Sequence, residues 1–142
     1  MPDIDLTRRE TFRHWTPVTI RFSDQDSMAH VNNVALAAYV EAARTAYIYE
    51  LIAKGGMEGL EFILARVVID YHRELHYPGA VEVGARLVRL GNKSLTTGYG
   101  VFRGDDCVAT SECVNVFYDM QTRKTVMPPA GVRAALEAEL AG

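Results

Sequence analysis

Residues 33–53 read NVALAAYVEAARTAYIYELIA, and their apolar side chains recur at the spacing of one long α-helix. One face carries Leu36, Val40, Ala43, Tyr47 and Leu51. Asn32 or Asn33 suits the N-cap, because an Asn side chain accepts a free backbone N–H of the first turn. Gly55-Gly56 suits the end of the helix. Because only a narrow side is polar, we expect the helix to be largely buried inside a wrapping structure.

The rest of the chain supplies that wrapping structure as strands. Alternating apolar and β-branched residues predict five strands, over Pro17–Phe22, Glu61–Leu75, Val81–Leu90, Ser94–Arg103 and Asp106–Asp119. Turns are expected at Tyr77-Pro78-Gly79, Gly91-Asn92-Lys93 and Gly104-Asp105, so consecutive strands should pair antiparallel. Residues 129–140 predict a short closing helix. The pattern indicates an α+β fold, with a curved antiparallel sheet wrapped around one long central helix, as a single domain over residues 1–142.

Charge and composition exclude several classes of protein. The net charge is -3, from 15 basic and 18 acidic residues, which argues against general nucleic-acid binding. No segment reaches the ~20 apolar residues of a membrane span, and the acidic N-terminus lacks the apolar core of a signal peptide. We therefore expect a cytoplasmic protein with no membrane partner. Cys107 and Cys113 are roughly 20 Å apart along one strand, too far for a disulfide, so we expect inert thiols.

Polar residues cluster immediately before the long helix: Asp24, Asp26, His30, Asn32 and Asn33. The helix N-terminus presents free N–H groups and the positive end of the macrodipole, which can stabilise an oxyanion. A carboxylate beside it could attack a carbonyl or activate water. The plainer interpretation is that these residues only cap the helix and shape the turn. Asp24, closer to the strand, is the stronger candidate for a purely structural role.

No metal or cofactor is expected from the sequence. His72 and His76 are four residues apart, but they lie at a strand end beside Tyr77-Pro78 rather than on a helix, where that spacing would pair two ligands. No third ligand is evident from the sequence. We therefore predict no metal site.

The sequence also resembles a known family. Residues 21–33, RFSDQDSMAHVNN, and residues 39–44, YVEAAR, resemble the 4-hydroxybenzoyl-CoA thioesterase family, with its D-x-D-x-x-G-H-V-N-N-like stretch followed by Y-x-x-Y-x-E-x-A-R. Residues 68–75, VIDYHREL, and the turn GNKS at residues 91–94 are weaker matches in the expected order. The resemblance covers roughly residues 15–120. It departs from the family pattern at Ala29, where Gly is common and positive φ would be costly for Ala.

The resemblance implies a hot-dog fold and an acyl-CoA thioesterase that releases a carboxylic acid and free CoA. It implies dimers joined sheet edge to sheet edge, often paired into tetramers, with active sites at the dimer interface. Asp26 would be the nucleophile or general base, and the backbone N–H of Asn33 would polarise the thioester carbonyl. His30 completes the predicted catalytic group.

The predicted substrate-binding residues are Asn32, Tyr39, Arg66, Lys93 and Ser94. Arg66 is included because the phosphates of CoA need cations. Lys93, with Ser94, matches a family position that contacts the nucleotide end of CoA. Small residues at Ala35 and Ala38 imply a wider acyl pocket. The substrate would be an acyl-CoA or an acyl-carrier-protein thioester.

Other functions stay open at this stage. An enoyl-thioester hydratase or dehydratase would pair a His with an acid on the helix, and His30 and Glu41 are available. A non-catalytic acyl-thioester binding module would keep the fold and Lys93 but would not need Asp26. The acyl group, the oligomeric state and the covalent or general-base role of Asp26 are left undetermined by the residues alone.

Overall fold

The computed structural model describes residues 4–54 and 60–142. The long helix, α1, spans Asn33–Ala53, as the apolar spacing predicted. Asn32 is its N-cap, and the Asn32 Oδ1 accepts the backbone N–H of Ala35 at 2.8 Å. The predicted helix end at Gly55-Gly56 lies outside the described residues.

The strands form one antiparallel sheet. They are β1 (His14–Thr19), β2 (Leu60–Tyr71), β3 (Ala80–Leu90), β4 (Ser94–Arg103), β5 (Asp106–Asp119) and the short β6 (Lys124–Thr125). The order across the sheet is β1-β3-β4-β5-β2, with β6 pairing β5. The bounds of β4 and β5 are those that the sequence predicted. The predicted curved antiparallel sheet packed on one long helix is therefore confirmed.

Two strand predictions are corrected. The first strand was expected over Pro17–Phe22, but β1 ends at Thr19 and Phe22 lies in a 3-10 helix, 74% exposed. The backbone turns there because the Asp24 carboxylate accepts the Arg21 N–H at 2.9 Å. Consecutive pairing holds for β3, β4 and β5 but is wrong for β2, which pairs β5 and lies at the far edge. Residues 72–79 cross over to β3 instead of forming a hairpin.

Only one face of α1 is buried. The predicted face packs into the core with the large buried side chains of the sheet, among them Leu87, Leu95, Tyr99 and Phe117. The opposite face, which we expected to be covered as well, is open in the single chain, and Val34 is 79% exposed. Small residues such as Ala37, Ala38 and Ala42 lie on this open face, and the sheet wraps around half of the helix, not all of it.

A second helix, α2 (Ala130–Ala141), closes the remaining side of the core through the buried Val132 and Leu136. It corresponds to the helix predicted at residues 129–140. Cys107 and Cys113 are both free, as expected. Within residues 4–54 and 60–142, the helices are too short or too polar to cross a membrane.

Candidate active site

The loop between β1 and α1 holds Asp26 in a tight turn. The Asp26 Oδ1 accepts the backbone N–H groups of Met28 at 2.9 Å and His30 at 3.2 Å. The Asp26 N–H donates to the His30 carbonyl at 2.8 Å, and the Ala29 N–H donates to the Asp26 carbonyl at 3.0 Å. One carboxylate oxygen therefore shapes the loop, while Oδ2 has no partner among the described residues.

Ala29 occupies the left-handed region, with φ of 60°. This is the conformation that Gly adopts freely and that costs an L-residue roughly 1–2 kcal/mol. Ala29, where the family pattern has Gly, therefore keeps the same loop shape, but its backbone is strained.

Asn32 and Asn33 have different roles at the start of α1. The Asn32 side chain caps the helix, which leaves its amide oxygen occupied. Asn33 is the first helical residue and is exposed, so its backbone N–H has no intrahelical acceptor. Among the described residues, no other group accepts that N–H. This amide can serve as a hydrogen-bond donor to a ligand.

The three predicted catalytic residues line one open cleft of about 340 Å³. Its walls are Asp26, His30, Val31, Asn33 and Leu36 on one side and the chain around the end of β2 on the other: Tyr71, His72, Arg73, Glu74 and Leu75. The two sides are joined by the Val31 N–H, which donates to the Leu75 carbonyl at 2.7 Å. Residues 68–75 resemble the family in sequence, but their spacing alone places none of them in the site; the structure brings Tyr71 to Leu75 into the cleft.

A buried carboxylate supports this loop from beneath. Asp24 is 2% exposed and accepts hydrogen bonds from the Tyr39 hydroxyl at 2.6 Å and from the Arg21 guanidinium at 2.9 Å. Burial alone would raise the pKa of Asp24, but these hydrogen bonds and the charge of Arg21 outweigh it and hold that pKa below its usual value. Burial and the neighbouring Asp24 raise the pKa of Tyr39. Asp24 is therefore a structural anchor between the loop and α1.

The predicted substrate-binding residues do not all reach the cleft. Tyr39 is 4% exposed and bonded to Asp24, which supports a structural role within one chain. Arg66 is exposed in the middle of β2. Ser94 pairs with Val116 of β5, whereas Tyr71 at the cleft pairs with Ala109. Seven residues of strand separate these levels, about 23 Å, so Lys93 and Ser94 lie at the other end of the sheet.

An apolar groove of about 290 Å³ runs along the open face of α1, between the helix and β2. Its lining includes Val34, Ala37, Ala38, Leu64 and Val67. Ala38, one of the two small residues expected to widen an acyl pocket, contributes to this groove. Ala35, the other, is buried in the core.

The fold directs His72 and His76 to different partners. His72 and His76 do not form a pair, because the His72 Nε2 lies 2.9 Å from the Thr110 hydroxyl. His76 lies beside His30 instead, with Glu74 between them. Sequence spacing did not indicate that His30 could act with His76, because the two residues are 46 positions apart along the chain. In the fold they are neighbours.

Comparison with known proteins agrees with this architecture. The helix wrapped on one face by a curved antiparallel sheet is the hot-dog fold, and a model of the Thioesterase-like superfamily matches residues 20–136. The chain belongs to that superfamily. The PA5185 protein of Pseudomonas aeruginosa is 30% identical, with a TM-score of 0.80, over 93% of this chain and 94% of that one.

Two further relatives are similar over most of their length. A thioesterase of Thermus thermophilus, solved in complex with coenzyme A and Zn, is 28% identical, with a TM-score of 0.76, over 90% of this chain and 94% of that one. The YsmA protein of Bacillus subtilis is 27% identical over 99 residues, which are 68% of this chain and 67% of that protein.

The strained Ala29 gives a test of the loop geometry. Ala29→Gly should raise the free energy of unfolding by about 0.5–1 kcal/mol, because Gly relieves the positive-φ strain at a smaller cost in unfolded-state entropy. The same change at Ala42, exposed within α1, should lower it by about 1 kcal/mol. Urea denaturation of both variants measures the difference. A destabilised Ala29→Gly would contradict the left-handed conformation.

The lowered pKa of Asp24 predicts how the stability of the fold depends on pH. Because its folded-state pKa lies below the unfolded value, the carboxylate contributes stability above the unfolded pKa, and this is lost as the pH falls below about 4. Asp24→Asn should cost about 2 kcal/mol near neutral pH and flatten the acid limb of the stability curve. Denaturation at a series of pH values measures this, with the exposed Asp105→Asn as control. An unchanged acid limb in Asp24→Asn would remove Asp24 from this role.

Proposed function

We propose that the protein is an acyl-CoA thioesterase, which hydrolyses a thioester to a carboxylic acid and free CoA. The observation that carries the proposal is the cleft in which an exposed carboxylate, Asp26, and a helix N-terminal amide, that of Asn33, face the same space. Membership of the Thioesterase-like superfamily supports it. The Thermus relative solved with coenzyme A supports CoA as the thiol carrier.

The chemistry follows from the two groups. The thioester carbonyl oxygen would accept the Asn33 N–H, at the positive end of α1, so that charge developing on this oxygen is stabilised. Asp26 would take a proton from water as it attacks the carbonyl carbon, or would attack that carbon itself. The carbon–sulfur bond then breaks, and the CoA thiolate leaves and takes up a proton. If an acyl-enzyme forms, water hydrolyses it in a second step. His30, in the same cleft, would help to position the attacking group.

The remaining substrate would occupy two further regions. Arg66 and Lys93 are exposed cations suited to the CoA phosphates, and Ser94 neighbours Lys93 in the turn. The apolar groove beside Ala38 suits an acyl group. The reaction needs no organic cofactor.

We further propose that two copies pair through β2. This strand has 12 residues and lies at the sheet edge, with Ile63, Leu64, Val67 and Tyr71 each more than 40% exposed. Such an edge is a template for pairing with another strand. A second copy would also cover the apolar groove and the open face of α1.

Antiparallel pairing of β2 with its copy would complete the substrate site. The Tyr71 end of one strand, at the cleft, would lie beside the Leu60 end of the other. Lys93 and Ser94 lie at that Leu60 end, because Ser94 and Ile63 both pair with Val116. The candidate phosphate-binding residue Lys93 of the second copy would then face the cleft that holds Asp26. This would account for the distance between Lys93 and Asp26 within a single chain. Pairs of such dimers would give the tetramer that the family resemblance allows.

The hydratase alternative has less support. It requires His30 and Glu41 at one centre, but His30 lines the Asp26 cleft and Glu41 lines the apolar groove on the open face of α1. Glu41 instead lies 3.7 Å from Arg44.

Replacing the carboxylate tests the chemistry. Asp26→Asn should keep the fold, since the amide oxygen can still accept the Met28 and His30 N–H groups, but should lower kcat/KM about 10²–10⁴-fold. Release of free thiol from short, long and aromatic acyl-CoAs measures this, with Asp105→Asn as the matched control. Full activity in Asp26→Asn would exclude Asp26 from the mechanism. Binding of acyl-CoA without hydrolysis by the wild type would favour the binding module.

Charging the β2 edge tests the assembly. Val67→Lys places a cation in the apolar groove that pairing would bury, so it should convert dimers to monomers and reduce thioesterase activity. Thr19→Lys, on the opposite edge strand β1, should leave the assembly unchanged. Light scattering coupled to size-exclusion chromatography measures the mass. A Val67→Lys protein that keeps the wild-type mass would exclude this edge as the interface.

A further inference from the structure

Three side chains with metal-binding atoms meet at the rim of the Asp26 cleft. The His30 Nε2 lies 3.5 Å from the Glu74 Oε2, and the His76 Nε2 lies 3.4 Å from the same oxygen. All three ligand atoms lie within 4.8 Å of one another. They come from two separate segments, the loop before α1 and the connection after β2.

These distances match those between the ligands of a tetrahedral zinc ion. With metal–ligand bonds of about 2.0–2.1 Å at tetrahedral angles, neighbouring ligand atoms are about 3.4 Å apart. The two distances to Glu74 already have this value. The remaining distance, between the histidine nitrogens, needs to shorten by at most about 1.4 Å if the spacing is tetrahedral. Glu74 and His76 are more than half exposed, so their side chains can make this adjustment.

The orientation of His76 also suits a metal ligand. Its Nδ1 lies 3.1 Å from the Ala29 carbonyl, and because a carbonyl only accepts, Nδ1 donates this hydrogen bond. The other ring nitrogen, Nε2, faces the Glu74 carboxylate and is the atom available to a metal ion. A histidine ligand whose other nitrogen donates to a backbone carbonyl is the usual arrangement at zinc sites.

The backbone on both sides of the cluster is held in place before any ion binds. The Val31 N–H donates to the Leu75 carbonyl at 2.7 Å, which joins the residue after His30 to the residue between Glu74 and His76. The Arg103 Nη1 donates to the His76 carbonyl at 2.6 Å. Binding therefore needs little rearrangement beyond the three side chains.

We propose that His30, Glu74 and His76 form a binding site for one divalent transition-metal ion per chain. Two imidazoles and one carboxylate are a ligand set that zinc favours, and three protein ligands leave a fourth position open to water or a small anion. Because His30 and Glu74 also line the cleft, the ion would link the Asp26 loop to the connection after β2. The site does not depend on which reaction the protein catalyses.

The test is zinc binding by the full chain after dialysis against a chelator. Isothermal titration should show one Zn²⁺ per chain for the wild type. His76→Ala and Glu74→Gln should each weaken binding by at least 10–100-fold, the loss that removing even an outer partner of a metal ligand causes. His72→Ala is the matched control, because His72 lies in the same cleft but faces Thr110, and it should bind as the wild type does.

Cobalt gives a second readout that does not involve activity. Co²⁺ bound at this site should show the intense visible bands of tetrahedral coordination in the wild type and the His72→Ala variant, and Zn²⁺ should displace it. Both His76→Ala and Glu74→Gln should lose these bands while their circular dichroism stays native. Binding that survives in these variants, is equally reduced in His72→Ala, or is absent from the wild type would overturn the proposal and leave a histidine–glutamate hydrogen-bond cluster.

Discussion

The structure depends on the burial of one apolar face of α1 against the concave side of the sheet. Ala43 and Ile48 are fully buried at this contact, and the large side chains opposite them, such as Tyr99 and Phe117, are fully buried as well. Burying a large apolar side chain such as Ile48 or Phe117 contributes roughly 1.5–3 kcal/mol, so the position and direction of the helix are strongly determined. The N-terminus of α1 is thereby held at the level where β2 ends, and this places the Asn33 amide beside the cleft.

A second set of interactions fixes the loop between β1 and α1 that carries Asp26. The buried Asp24 joins Arg21, at the end of β1, to Tyr39 on α1, so that the loop between the two elements has a fixed start. The Val31–Leu75 hydrogen bond fixes its other end against the chain after β2. Asp26 lies in the middle of this loop with one oxygen bonded to the backbone. Asp26, which carries the proposed chemistry, is thus supported by Asp24, which is buried and structural.

The open face of α1 and the edge of β2 both carry exposed apolar side chains. Val34 on the helix and Ile63, Leu64 and Val67 on the strand each remain more than 40% exposed in the single chain. The proposed pairing would also account for the separation of Lys93 from Asp26, because a site that takes residues from two chains does not need to gather them in one. The apolar groove, the sheet edge and the distant cations are therefore consistent with one proposal of assembly.

Most of the helices and strands could be predicted from local sequence patterns. The 3.6-residue spacing of residues 33–53, the alternation in Ser94–Arg103 and Asp106–Asp119, and the Asn32 cap each act over a few neighbouring residues, so they were readable in order along the chain. The motif around Asp26 could be recognised for the same reason, since its turn is closed by bonds between residues at most four apart.

Contacts between distant segments could not be read in this way. The pairing of β2 with β5 in place of β3 and the open half of α1 follow from how the sheet closes around the helix, which no local pattern specifies. The same holds for the cluster of His30, Glu74 and His76, whose members lie up to 46 positions apart and meet where Val31 bonds to Leu75. Spacing along a chain determines the neighbours within one helix or strand, whereas neighbours between elements are determined by packing.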